Sequence, residues 1–145
     1  MTYNQLKSTL TTLLQSHAMI KQVQFNPPTE WLFKDSNPEY PICCFVCNTG
    51  SFERGYLNYV VSIWFLDKAG QEMLYADEVV SDQLQIANDI VSKLRQSHLN
   101  DYIIDDNISF TIVADSFEDY LAGVRMDVTI KTINKYEACS FPVNA

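Results

Sequence analysis

Two apolar runs, residues 41–47 and 56–66, lie eight residues apart across a connection that carries Gly50 and Gly55. This pair constrains the fold more than any other feature. In the second run Tyr59, Val61, Ile63 and Phe65 fall on one side of an extended chain, and Val60, Ser62 and Trp64 on the other. Side chains alternate faces with period two on a strand, so the spacing predicts a long strand. The short glycine-containing connection predicts an antiparallel hairpin with a mobile tip near residues 48–54. Turn residues at 67–70 close the second strand.

The next stretch, residues 77–96, has helical periodicity. Val80, Leu84, Ala87, Val91 and Leu94 recur at steps of four and three, and Ile86 and Ile90 widen the stripe. Asp77, Glu78 and Asp82 stand near its start, and Lys93, Arg95 and His98 near its end, matching the helix dipole. Residues 3–18 predict a second amphipathic helix through Leu6, Leu10, Leu13 and Leu14, with Thr2 as N-cap and Gln5 completing a weak capping box. Its stripe faces the core or a neighbouring subunit, and core packing is the simpler reading. Residues 20–25 predict a short strand, stopped by Asn26-Pro27-Pro28. The loop 29–40 carries a possible helical turn at Glu30–Phe33 and three aromatics, Trp31, Phe33 and Tyr40. Sequence does not decide between a functional surface and aromatics folded back onto the sheet. Residues 108–114 alternate, and 120–130 predict a half-solvated closing strand; the tail 134–145 has little pattern and is a possible extended arm. The order predicts one α+β domain over 1–145, a mainly antiparallel sheet with the N-terminal helix and the long helix on one face.

Composition excludes several function classes. The formal charge is −8, from 18 acidic and 10 basic side chains, and the basic residues are scattered, which disfavours sequence-specific nucleic-acid binding. No secretory h-region and no apolar run near the roughly 20 residues of a membrane span is visible. The expectation is a protein made and kept in a cytoplasm, away from membranes. Cys44 and Cys47 have metal- or redox-type spacing. On a strand they point to opposite faces, and the two histidines, His17 and His98, fall in helical segments, so Cys43, Cys44, Cys47 and Cys139 read as reduced structural residues. Phosphate-binding glycine motifs and nucleophile elbows are missing from the sequence. The acidic clusters around Asp101, Asp105 and Asp106, and around Asp115, Glu118 and Asp119, do not match a calcium loop and read as solvated turns. The expectation is a non-enzyme with no cofactor and no metal.

The assembled pattern resembles the tail-terminator and neck-ring proteins of tailed bacteriophages. The closing segment DSFEDYLAGVRMDVTI over residues 115–130, followed by Tyr136, Cys139 and Pro142, is similar to the small neck proteins of crAss-like gut phages and related Bacteroidales phages. The helix start ADEVVSDQL over residues 76–84 fits as well, and the resemblance runs from about Tyr3 to Pro142. It extends to a prophage protein encoded by a host. The resemblance implies a virion structural protein assembled in the bacterial host cytoplasm. It implies a ring of six or twelve copies at the head–tail connection or the tail end. Portal, neck or tail ring proteins would be its neighbours, and DNA would pass through its channel without specific binding. Candidate ring contacts are Trp31, Phe33 and Tyr40, the hairpin tip with Phe52 and Arg54, and the tail with Tyr136 and Phe141. Two other readings compete: a monomeric or dimeric module binding a small ligand or protein around a closed apolar pocket, and a hydrolase using a low-pKa cysteine or converging carboxylates.

Overall fold

The computed structural model describes residues 2–28, 38–96, 102–115, 120–134 and 142–143. It is an α+β fold, with two α-helices and six strands among the described residues: α1 (Tyr3–Gln15), β1 (Gln22–Phe25), β2 (Ile42–Glu53), β3 (Tyr56–Lys68), α2 (Ala76–Arg95), β4 (Tyr102–Ile104), β5 (Ser109–Asp115) and β6 (Leu121–Ile133). The strand order is β1-β2-β3-β6, with β4 and β5 both paired to the free side of β6. Among the described residues only the β1–β2 pair is parallel. Asn58, Ser62 and their even-numbered neighbours on β3 face away from the helices, while Tyr59, Val61, Ile63 and Phe65 are buried on the helix side as the alternation predicts.

The predicted connection at 48–55 is a correction. β2 continues through it to Glu53, and the turn shrinks to Arg54 and Gly55, with Gly55 at φ +85°. A register shift between Cys47 and Thr49 lets the polar stretch stay paired. Side chains there are exposed, so the apolar pattern that marks a strand is missing although the backbone ladder is intact. β6 likewise runs to Ile133, three residues past its predicted end, and pairs with the tip of β3 at Tyr56. Thus β2, β3 and β6 extend together as a three-stranded arm. β4 was not predicted; three residues carry too little periodicity to signal a strand.

α1 ends at Gln15, short of the predicted residue 18, so His17 lies just past the helix. Thr2 caps it with the reciprocal Gln5 bond of a capping box. Its buried stripe is Leu6, Leu10 and Leu14. α2 spans 76–95 close to prediction, but its deepest stripe is Val79, Gln83, Ile86, Ala87, Ile90 and Leu94. Val80, Leu84 and Val91, read as central, flank that stripe and are half-buried. α1 sits by β1, and α2 lies over β6 and β3. Both helices share one core with the sheet. His17 Nε2 meets Asp89 Oδ2 at 2.9 Å, tying the end of α1 to α2. The Met19 N–H donates to His17 Nδ1, so a neutral ring donates from Nε2 to the carboxylate. A smaller cluster of Ile42, Cys44, Leu66 and Leu121, with Tyr40, Trp64 and Val113 against it, is buried on the opposite face of the sheet.

At the end of β3, burial raises the carboxyl pKa of Asp67, and Asp82 nearby adds to the shift; the Lys68 N–H bond to Asp67 Oδ1, 2.8 Å, pulls the other way. The folded state therefore holds the proton more tightly than the unfolded chain. The resulting penalty is absent below the unfolded value of about 3.9, grows as pH rises to the raised folded value, and is constant above it. Asp67→Asn keeps a carbonyl oxygen for the Lys68 N–H. It is expected to raise stability at pH 7 by up to about 1 kcal/mol, the group being half-solvated, and to give no gain at pH 3. Urea titrations of both proteins at the two pH values check this.

Candidate functional site

The described residues hold no cluster of three His, Cys, Asp or Glu side chains placed to bind a metal. No described helix is long and apolar enough to cross a membrane. Cys43 is fully buried on the helix face and Cys44 on the other, as strand geometry requires. Burial, with Cys44 adjacent, pushes the Cys43 thiol well up, and burial raises Cys47 as well. These shifts are opposite to those of an activated nucleophile. His17 is engaged by Asp89 and the Met19 amide. The polar group on the sheet's other face, Ser62, Arg125 and Asp127, is satisfied internally. Ser62 Oγ donates to Asp127 Oδ1 at 2.6 Å, Arg125 reaches both, and its guanidinium lies over Trp64.

Two regions remain chemically unfinished. The first is the arm. Phe52 is 87% exposed on the helix side of the sheet. Arg54 stands exposed at the turn. The arm is nonetheless rigidly built: Asn58 Nδ2 donates to Ser51 Oγ and Glu53 Oε2, and Lys131 pairs with Glu53 at 3.4 Å. The Asn58 bond and the Lys131 charge hold the Glu53 carboxyl below its usual range. Gly50 is required here, since a Cβ would sit 2.4 Å from the Asn58 carbonyl oxygen. β1 covers only Ile42–Phe45, so the outer edge of β2 from Asn48 to Glu53 has no strand partner among the described residues.

The second region is a groove of about 500 Å³ between α2 and β5, lined by Leu84, Ala87, Val91, Ile108, Phe110 and Met126 among others. Phe110 is 54% and Ile112 59% exposed, although both point to the helix side. β5 pairs only with β6 among the described residues, so its outer edge is open too. Asp105 and Asp106 stand exposed on the link before β5, where Arg95 donates to the Asp106 carbonyl.

Of the predicted contact residues, the fold brings Phe52 and Arg54 together at one tip. Tyr40 lies elsewhere, half-buried against the second apolar cluster with Lys68 5.2 Å over its ring. Trp31, Phe33, Tyr136 and Phe141 lie outside the described residues, as do His98, Cys139 and the possible turn at 30–33. The groove was missed. Its origin is placement: α2 lies mainly over β6 and β3 and meets β5 only at its margin, so the apolar face of that edge strand stays bare. No protein-family model matches the chain, and no curated protein matches it.

Proposed function

We propose that this chain is a virion structural protein that forms a homo-oligomeric ring, of six or twelve copies, in the neck or tail of a tailed bacteriophage. The ring surrounds the DNA channel and contacts adjacent neck, portal or tail rings. The reading rests on the resemblance in residues 76–84 and 115–130. The structural observation that supports it best is the pair of unfinished edges. An exposed strand edge flanked by bare apolar side chains is an association surface in most folds. Here two such edges lie at opposite corners of one sheet, where a single chain cannot close them on each other. Different surfaces meeting head to tail generate closed rings when the rotation closes. The charge of −8 fits a channel wall that DNA does not stick to. Chemistry at a catalytic centre has no part in this reading.

The size of the α2–β5 groove favours a second reading, a module that binds a small ligand. Negative-stain imaging of concentrated protein separates the two. The ring reading expects annular particles with sixfold or twelvefold symmetry; featureless particles of monomer size would favour the ligand-binding module.

A further inference from the structure

We propose that the ring contact, on the ring reading above, is β-sheet addition between copies: the free edge of β2, Asn48–Glu53, pairs with β5 of a second copy and seats Phe52 in that copy's α2–β5 groove. The sheet itself sets the terms. β2, β3, β6 and β5 are successively antiparallel. A copy added edgewise with its helices on the same side therefore presents β2 antiparallel to β5, the favourable arrangement for an added strand.

The register follows from which parts of each edge are blocked. Gly50 aligns through Tyr59 with Ile130, while Ile112 aligns with Val124, six residues lower on β6. Bringing the free stretch of β2 beside β5 shifts the second copy by that amount, about 20 Å along the strands. Its β1, which aligns with the Gly123–Met126 level, then passes beyond the Leu121 end of the first sheet. The first copy's β4, at the Ile130–Thr132 level, clears the tip of the arm. Among the described residues, each blocked half thus lies outside the contact. Side-chain parity agrees. Phe52 aligns with Leu57 and Thr132, so the six-residue shift places it beside Phe110 at the Met126 level, on the groove side of the continued sheet. A one-residue slip would turn it to the other face.

Charge agrees as well. Arg54 follows Phe52 by two residues and reaches the link that carries Asp105 and Asp106. Arg54 has no hydrogen-bond or ion-pair partner among the described residues. In a chain of charge −8, copies repel at long range, so a local cation meeting two carboxylates supplies register. The step of about 20 Å per four strand columns, about 19 Å of sheet, is a tilt of about 45°, at the upper end of the range for closed barrels. Such a sheet closes around an axis.

Mixing of two surface variants tests the contact. Phe52→Asp disables the arm and leaves the groove; Phe110→Asp disables the groove and leaves the arm. Both positions are exposed, and circular dichroism confirms that each variant folds. Each alone is expected to need roughly thirtyfold more protein to associate, the loss typical of a central aromatic anchor. An equimolar mixture is expected to form one heterodimer and stop, because only one intact pair of surfaces exists. Arg54→Asp is expected to weaken the wild-type assembly, and adding Asp106→Arg to the same chain to restore it. A wild-type oligomer that neither variant disturbs overturns the contact and leaves the ring reading standing. A mixture with no heterodimer overturns it likewise. A wild-type chain that is monomeric at every concentration overturns it too, since both surfaces are complete in the free chain, and confines the ring reading to assembly templated by a neighbouring ring.

Discussion

Gly123→Ala is expected to cost about 3–5 kcal/mol of folding stability, at the top of the range for single substitutions. Gly123 lies in β6 opposite Leu66, inside the long β3–β6 ladder at the centre of the sheet. A Cβ there would sit 1.8 Å from the Phe65 carbonyl oxygen, 2.9 Å from its carbon and 3.1 Å from the Leu66 Cα. All three are backbone atoms, so no rotamer change relieves the overlap; the two strands must part. Parting them disturbs Phe65, Leu66, Leu121, Ala122 and Val124, which are buried on both faces. Interiors close-packed to crystal density transmit such a shift rather than absorb it. Gly55→Ala is the control. Its φ of +85° is unfavourable for alanine, but a Cβ there meets nothing within 4 Å. The expected loss is only about 1–2 kcal/mol. Urea unfolding followed by circular dichroism reads both. A Gly123→Ala protein as stable as wild type would show that the strands do not approach this closely.

Phe45→Ala is the second large effect, about 3–5 kcal/mol. Phe45 is 1% exposed on the helix face of β2. Its ring packs edge-on against Phe25 of β1, with centroids 5.4 Å apart, and the ammonium of Lys7 on α1 caps the Phe25 ring at 3.8 Å. One side chain therefore joins β2, β1 and, through Phe25, α1. Alanine leaves a void at this corner, where β1 is held by its parallel pairing with β2 and by its contact with α1. A shift of the urea midpoint with unchanged slope would show loss of stability alone. A smaller slope would show that β1 and α1 had come loose in the native state.

The core was largely legible in the sequence because its physics is periodic. Leu6, Leu10 and Leu14, the Tyr59–Phe65 alternation and the helix at 76–95 each repeat at a spacing that a buried face imposes. What was not legible depends on pairing rather than burial. The 48–53 stretch is a strand only because its backbone bonds are met by β3, and its side chains are polar or exposed. β4 owes its existence to Lys131 and its neighbours on β6. Ile86, Ala87, Ile90 and Leu94 of the α2 stripe were legible, but its first half was not, because Val80 and Val79 are both apolar and Gln83 is buried at 2% exposure where a polar residue is not expected. Phe52 and Arg54 were legible as residues of one hairpin tip, which the structure shows, and their role as contacts is a proposal. The groove they are proposed to fill was not, because Phe110 and Ile112 alternate like any covered strand, and only the placement of α2 over β6 and β3 leaves them bare.

Copies of this chain are proposed to close into a ring. Light scattering coupled to size exclusion, run over a hundredfold range of concentration, tests it most directly. The expected result is a species whose mass is six or twelve times the 16.6 kDa of the chain, growing at the expense of monomer with few intermediates. A mass that stays at one or two chains throughout, alone and in the presence of neighbouring tail components, would contradict it.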